Sequence, residues 1–444
     1  MYYSIPIKKI LVLSAFFIAS VSWSQEKKWT LMECVNYALE NNISVKQSTL
    51  DLRLTDSDLL AAKGNFIPNL SFSGTYTYNP SVGLNQTTNT YDTGFSTFNG
   101  GGTSSINLSS GLTNWRTLQR AKLNKIATQY SLDGMKDDIV LMVANAYVEI
   151  LSNKEQLKVL EVQSALTKEN LERTQELINA GSLPAGDIYD LQATQASQEQ
   201  QIIVAQNTLL ISKIGLAQTL LIKDYADFDI VDEEFEVPLD IAILDKSPKE
   251  ISDKAKEVLN TIKVAQSNLE LAKIDQKLAK GAYYPTLSGF FSYNTRWSSL
   301  SNIDFMNQLA SYDGIGLGMQ LSIPVLNGFS TRANVQRSKI NTLRAENALE
   351  QSKLDLEKNV YQAYMDASNA KKLYEASLKT LEARRQAFNF TEERYNVGLL
   401  NSYDYNQSKT DYESAQSDVV RNKYDYIFKL KVLEFYFGIP VTAN

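Results

Sequence analysis

Two hydrophobic periods alternate along this chain, and each is used twice. From Leu70 the period is two: Leu70, Phe72, Gly74, Tyr76 and Tyr78 interleave with Ser71, Ser73, Thr75 and Thr77. Ile106, Leu108, Ser110 and Leu112 resume it after a loop. It returns at Leu287, Gly289, Phe291, Tyr293 and Trp297, and again at Ile315, Leu317, Met319, Leu321, Ile323 and Val325. Strict alternation predicts four strands, each with one apolar and one polar face. Their expected length, roughly ten residues, is that of a strand crossing an outer membrane at a tilt. Tyr76, Tyr78, Tyr293 and Trp297 fall near the loop ends, where interfacial aromatics belong. The stretches from Pro80 to Gly102 and from Ser298 to Gly314, rich in Asn, Ser, Thr and Gly, read as solvated loops. Four strands cannot close a membrane barrel, which takes about eight at least. Strands of this kind in a membrane require an oligomer, because open edges in lipid leave backbone groups unpaired.

Elsewhere the spacing becomes helical. From Thr331 to Val397 there is neither Gly nor Pro. A helix of that length spans about 100 Å at 1.5 Å per residue. A globule of this chain would be only about 55–60 Å across, so lateral partners must support the helix. Val360, Tyr364, Ala367, Tyr374, Leu378, Leu381, Phe388 and Tyr395 fill eight of eleven successive seam positions. Val143, Tyr147, Ile150, Leu157, Leu171 and Ile178 hold the corresponding places on an earlier helix, Asn114 to Asn179, interrupted only by Gly134. The returning helix carries Tyr405, Tyr412, Ala415, Val419, Tyr426 and Leu433. These are antiparallel coiled-coil hairpins. Their tips read Asn179-Ala-Gly181-Ser-Leu-Pro184-Ala-Gly186-Asp187 and Asn396-Val-Gly398-Leu-Leu-Asn401-Ser402-Tyr403-Asp404. The first glycine of each suits a left-handed helix stop, and Asp187 and Asp404 fall in the first turn of the descending helices.

The two halves repeat at an offset of about 217 residues. Ala62-Lys63-Gly64, Phe66, Pro68, Leu70 and Ser71 recur as Ala279-Lys280-Gly281, Tyr283, Pro285, Leu287 and Ser288. Ala146-Tyr147 maps onto Ala363-Tyr364, and Gly181 with Asp187 onto Gly398 with Asp404. Leu108-Ser109 lines up with Leu321-Ser322, an offset of 213, so the first copy has the longer loop. A duplication of this size makes both halves satisfy one geometry.

Composition narrows the class. Residues 1–24 read as an export signal: Lys8 and Lys9, an apolar run from Ile10 to Val21, then Ser22-Trp23-Ser24. Its removal takes the formal charge from −6 to about −8, two lysines being lost with no acids. No later stretch offers 18 uninterrupted apolar residues, so no transmembrane helix is expected. The acidic balance argues against nucleic acid. Cys34, the single cysteine, reads as a small apolar residue on a helix, and Glu33 before it does not suit a lipid-anchor site. The absence of any histidine removes the usual general base and the commonest metal ligand. No enzyme, cofactor or metal centre is expected. Asp224 to Asp240 holds eight acids and no Lys or Arg, and reads as a solvated acidic linker rather than a cation site.

Taken together, the chain resembles the TolC-type outer-membrane efflux protein family from Trp29 to Pro440. The resemblance rests on the duplication, on Leu31-x-Glu-Cys-x-x-x-Ala-Leu-x-Asn-Asn42, on the Lys-Gly-x-x-x-Pro-x-Leu-Ser run before each first strand, on the Gly-x-x-x-x-x-Asp tips, and on Leu433 to Pro440. It implies a mainly helical chain with a transmembrane β-barrel: a homotrimer whose four strands per chain close one twelve-stranded barrel, continuous with a helical tunnel through the periplasm. The implied partners are outer-membrane lipid, a periplasmic adaptor and an inner-membrane transporter, which the duct would serve passively. The alternative class is a non-conducting coiled-coil protein of the envelope. The organisation expected is a signal at 1–24, N-terminal helices at 25–69, strands at 70–113, a hairpin at 114–223 and an acidic equatorial segment at 224–250. A helix at 251–284, strands at 285–326, a second hairpin at 327–437 and a tail at 438–444 follow. Family members are nearly shut at the tunnel's inner end by rings of tip aspartates. Asp404 matches the first ring, while Gln407 stands at the second; Asp187 matches the first-half acid and Asp190 adds a carboxylate one turn on. Asp187, Asp190 and Asp404 are therefore the expected constriction. Gly181, Ser182, Leu183, Gly398, Leu399 and Leu400 are the expected docking tips.

Overall fold

Alternation with a period of two becomes a four-stranded antiparallel sheet, and the 3–4 spacing becomes two helices of 67 residues each. The computed structural model describes residues 28–85, 88–181, 184–223, 225, 227–232 and 243–440, with the backbone alone at 92, 187 and 402. The export signal lies outside the described residues. In chain order the elements are β1 (Lys28–Trp29), α1 (Leu31–Asn41), α2 (Ile43–Gly64), β2 (Asn69–Asn85), β3 (Thr90–Ser110), α3 (Thr113–Asn179), α4 (Asp187–Leu220) and β4 (Asp229–Ile230). There follow α5 (Pro248–Val258), α6 (Asn260–Gly281), β5 (Thr286–Ser298), α7 (Phe305–Ser311), β6 (Gly314–Ser322), α8 (Ser330–Asn396) and α9 (Ser402–Phe437). Two compact units divide the chain: residues 1–46, 136–258 and 357–444 form one, and 47–135 with 259–356 the other. Among the described residues no helix is long and apolar enough to cross a membrane.

The second unit holds the sheet, in the order β2-β3-β5-β6. Its register gathers the apolar residues on one face. Phe72 lies opposite Gly102, Tyr76 opposite Phe98, Phe98 opposite Trp297, Phe291 opposite Leu317 and Leu287 opposite Leu321. Ser71, Thr75, Asn99, Ser292 and Arg296 take the other face. Glycines on β3 let aromatic rings lie flat across the sheet. A Cβ on Gly102 would meet the Phe72 ring at 2.7 Å, and one on Gly100 the Phe98 ring at 2.8 Å. Gly101 is different in kind: its Cβ would come within 2.5 Å of the Tyr293 carbonyl oxygen, which is backbone.

Several expectations need correction here. The strands are 17, 21, 13 and 9 residues long rather than about ten, because β2 and β3 run on through most of the expected first loop. Their backbones go on pairing to Asn85 and Thr90, past a register shift between Asn79 and Val82. The expected second loop contains α7. Ile323 and Val325 keep the alternation, but β6 stops at Ser322, since Pro324 has no N–H for a ladder. The expected single helix at 251–284 is two, broken by extended backbone at Leu259.

The first unit is built on α4, α9 and the parts of α3 and α8 from residues 136 and 357 onward. Val143, Tyr147, Ile150, Val360, Ala367, Tyr426 and Leu433 have no exposed surface, whereas Tyr364, Tyr374, Leu381, Phe388 and Tyr395 are half-buried and Leu378 is exposed, so only part of the expected seam is core. Tyr147 and Tyr364, which match in the repeat, do comparable work. The Tyr147 hydroxyl donates to the Val231 carbonyl at 3.1 Å, and the Tyr364 hydroxyl to the Leu244 carbonyl at 3.1 Å. Part of the acidic segment is therefore not a solvated linker. β4 pairs in parallel with β1, Phe228 and Ile230 are buried, and Lys154 and Lys213 each reach Asp229 at 2.9 Å. Lys154 also reaches Asp232 at 2.7 Å. Residues 233–240 lie outside the described residues. Asn42, from the Asn-Asn pair near the start, joins α1 to α2 by accepting from the Ser44 N–H and ties both to α4 by donating to the Thr219 carbonyl.

Two outcomes follow. Gly101→Ala should destabilise the sheet by about 1–3 kcal/mol, as overpacking against backbone does, whereas Gly102→Ala should cost less because the Phe72 ring can swing aside. Thermal unfolding followed by strand circular dichroism compares them. The second concerns the lysine clasp. Burial alone would raise the Asp229 carboxyl, but hydrogen bonds from Lys213 and Lys154 outweigh it and hold the group below its ordinary 3.8; the Lys154 hydrogen bond leads in lowering Asp232. A carboxyl lowered on folding contributes stability that is complete above the ordinary value and is lost as pH falls through the folded one. The acid limb of a stability–pH curve should therefore flatten in Lys154→Gln, with the gap to wild type closing below pH 3.8.

Candidate functional site

Two places carry chemistry beyond packing: the sheet and the hairpin tips. On the sheet, the apolar face is bare. Leu317 is 85% exposed and Phe72 77%, and Leu70, Tyr76, Tyr78, Ile315, Met319 and Leu321 are exposed beside them. So large a contiguous apolar surface marks a membrane or partner face. β2 and β6 are the two edges, each with one side unpaired. The opposite face is lined by Ser, Thr and Asn side chains, with Arg296 lying under the Tyr312 ring at 5.3 Å to its centroid. Near the loop end, Trp297 stands 6.5 Å from Tyr76 and 5.6 Å from Phe305, ring centre to ring centre. The sheet is thus apolar on one face, polar on the other and open at both edges.

At the tips, both ascending helices stop in the left-handed conformation, with φ of 72° at Gly181 and 77° at Gly398. The Gly398 N–H donates to the Tyr395 carbonyl and the Leu399 N–H to the Arg394 carbonyl, closing the last turn of α8. No atom lies within 4 Å of a Cβ built on either glycine, so the backbone angle alone demands glycine there. Leu399, Val397, Tyr403 and Tyr189 are exposed and Leu400 half-buried. Ser182 and Leu183 lie outside the described residues.

The expected constriction residues sit in the first turns of their helices. Asp187 is the first residue of α4 and Asp190 is exposed one turn on. Asp404 is the third residue of α9, but it does not cap that helix: Asn401 does, accepting from the Asp404 N–H at 2.8 Å. Among the described residues neither Asp190 nor Asp404 forms an ion pair.

Behind the tip lies a polar layer that sequence reasoning missed. Tyr395 stacks on Tyr405 at 4.5 Å, and Phe388 on Tyr412 at 5.6 Å. Next to this ladder Lys409, 5% exposed, donates to Thr167 at 2.6 Å and pairs with Glu413 at 3.7 Å. Gln198 donates to the same carboxylate at 3.1 Å, and Gln163 to Gln416 at 3.0 Å. Asn170 donates to the Tyr405 hydroxyl, whose proton affinity is pushed up to about 12 chiefly by burial. Burial holds Lys409 below the ordinary lysine range and Glu413 above the ordinary carboxylate range. The signal was present: Lys409 follows Tyr405 by four and precedes Tyr412 by three, which puts a charge on the seam.

Comparison with known proteins gives a consistent relationship. The family model described as outer membrane efflux protein matches residues 34–220 and 251–438. The outer membrane protein TolC of Vibrio cholerae is 22% identical over 435 residues, covering 95% of this chain and 94% of its own length. The outer membrane protein VceC of the same organism superposes with a TM-score of 0.76 at 14% identity, covering 93% of this chain and 96% of its own. A membrane protein from Pseudomonas aeruginosa gives 0.78 at 17% identity, covering 93% and 91%.

The buried pair makes an asymmetric prediction. Lys409→Ala leaves the Glu413 charge buried and unpaired, and should cost about 3–5 kcal/mol. The double variant Lys409→Met, Glu413→Gln keeps an acceptor for Gln198 and removes both charges, and should regain most of that loss. Chemical unfolding of the three proteins decides it; equal losses in the single and double variants would place the cost in packing instead.

Proposed function

This chain belongs to the outer membrane efflux protein family, and from that premise we propose that three copies close one outer-membrane exit duct. The family comprises transport ducts rather than enzymes, and its place is the outer membrane. In the proposed assembly the segments 70–113 and 285–326 of three chains make a twelve-stranded barrel, and the hairpins 114–223 and 327–437 line a periplasmic tunnel. The tips docked on a periplasmic adaptor would be Gly181, Ser182, Leu183, Gly398, Leu399 and Leu400. An inner-membrane transporter would supply the energy and choose the cargo, whether small molecules or proteins.

The observation that carries this reading is the four-stranded sheet with a bare apolar face, a polar inner face and two unpaired edges. In lipid such edges must be paired, and one chain has too few strands to pair its own. Joining β6 of one copy to β2 of the next satisfies both edges at once. A non-conducting coiled-coil protein of the envelope would account for the helices but would leave the sheet's apolar face without purpose.

Threefold symmetry would bring Asp187, Asp190 and Asp404 of each chain towards one axis, about nine carboxylates in all. Converging like charges favour bound cations, and a charged ring of this kind selects cations. The triple variant Asp187→Asn, Asp190→Asn, Asp404→Asn keeps helix-start chemistry, since Asn serves there about as well as Asp, and Asn401 still caps α9. Planar-bilayer recording of the purified protein is the test. Wild type should conduct with cation preference and be blocked by multivalent cations, and the variant should conduct without either. No conductance from wild-type protein would favour the structural alternative; unchanged selectivity in the variant would move the constriction away from these residues.

A further inference from the structure

The short helix α7 occupies the place where β6 stops short. The last ladder pair between β5 and β6 is Asn294 with Gly314, yet β5 continues to Ser298. At that height the β5 edge has no strand beside it. The Gln308 side chain stands in for one: its Oε1 accepts from the Ser298 N–H at 2.9 Å, and its Nε2 donates to the Ser298 carbonyl at 3.0 Å and the Ile303 carbonyl at 2.6 Å. The Leu309 carbonyl accepts from the Thr295 hydroxyl at 2.7 Å. Gln308 is 1% exposed.

An edge in water needs no such device, because water bonds free N–H and C=O groups. An edge at membrane depth does, because there each unmet backbone group costs several kcal/mol. The apolar side of α7 points the same way. Phe305 joins the sheet's apolar face, 5.7 Å from Phe98 and 5.6 Å from Trp297 between ring centres. Met306, next along the helix, is 71% exposed, and Ile303 just before it is exposed as well. The helix itself, Phe-Met-Asn-Gln-Leu-Ala-Ser, carries no charge. Its polar groups are used locally, with Asp304 capping its start through the Asn307 N–H.

We propose that α7 is an interfacial element, seated in the outer leaflet at the boundary between head groups and acyl chains. Phe305 and Met306 meet lipid there, while Gln308 seals the β5 edge against it. The occupant is lipid because the surface α7 extends is the sheet's apolar face, with no change of character between them. A loop helix with a bare Met and Ile facing water would be an isolated apolar protrusion without a role. This rests on the outer-membrane reading of the sheet, and the test separates the two.

Cys34 is the only cysteine and has no exposed surface, so single variants Met306→Cys and Leu317→Cys can each carry one environment-sensitive fluorophore. The labelled proteins are reconstituted in phosphatidylcholine vesicles containing phospholipids spin-labelled either near the head group or deep in the chain. Leu317 reports the sheet face and should lose fluorescence most with the deep label. Met306 should emit to the blue of an aqueous position, lose fluorescence most with the shallow label, and resist aqueous iodide. Quenching of Met306 by iodide alone, with Leu317 still quenched by lipid, would overturn the proposal and leave the membrane sheet standing. If neither position is quenched by lipid, the membrane sheet itself fails, and the proposal with it. Disulfide-linked pairs of Met306→Cys chains would seat α7 against a second copy and would also overturn it. A Gln308→Leu variant gives a second readout: losing both bonds to Ser298, it should expose that amide to deuterium exchange while Leu317 quenching is unchanged.

Discussion

Everything in the second unit depends on one constraint: a sheet whose outer face is apolar cannot leave its backbone unpaired. Among the described residues the ladders leave open one side of β2, one side of β6, and the stretches where β5 and β3 outrun their neighbours. The glycines on β3 serve the same end. They let Phe72 and Phe98 lie flat against the sheet, so that the outer surface is smooth and its rings cover backbone that small residues would leave bare. Gly101 answers a different demand, the close approach of the Tyr293 carbonyl on the polar face. One run of three glycines thus solves two steric problems on opposite faces.

The helical unit works under the opposite condition. Its seam is dry where Val143, Tyr147, Val360 and Tyr426 are buried, and polar near the tip, where Lys409, Glu413, Gln198 and Gln163 interlock. A buried ion pair is weak evidence for stability, because desolvation offsets most of the attraction. What such a layer does supply is register: shifting one hairpin against the other by a turn would strand a lysine and a glutamate without partners. The aromatic ladder of Tyr395, Tyr405, Phe388 and Tyr412 then tolerates little sliding, since its rings are stacked between 4.5 and 5.7 Å.

The fold was legible where a period was long enough to count. Both 67-residue helices, all four strands of the sheet and the glycine stops at Gly181 and Gly398 stand in the sequence as patterns. What escaped were features set by neighbours distant in sequence. The acidic stretch around Asp229 looks solvated until Lys154 and Lys213 arrive from other helices. Asp404 shows in the sequence only as a first-turn carboxylate, and that Asn401 caps the helix through the Asp404 N–H is seen only in the structure. Lys409 looks like a surface interruption of a seam until Thr167 and Glu413 enclose it. In each case the side chain's role depends on a partner that no local spacing announces. The constriction residues follow from the family's tip pattern, to which the geometry adds their place at helix starts.

Strand length raises the last point. Strands of 17 and 21 residues are too long to lie wholly within a bilayer that about 9–11 tilted residues cross. The register resolves the excess. β6, nine residues long, is the shortest strand, and β5 pairs with β3 for only four residues beyond the β6 ladder. Past Thr97, apart from two hydrogen bonds between Ser96 and Ser299, β2 and β3 pair with each other, through Tyr78–Ser96 to Asn85–Thr90. The part of the sheet that all four strands share is therefore close to one bilayer in height. Ser73, Gly101, Asn294 and Gly314 form its last row, and Tyr76, Phe98 and Trp297 lie just past it, at the level where α7 takes over from β6. Past that level the ribbon mixes Asn79, Asn85, Thr90 and Thr93 with exposed Val82, Leu84 and Tyr91. The expected length of about ten residues is close only for β6, because β2 and β3 go on pairing with each other after β5 and β6 have ended.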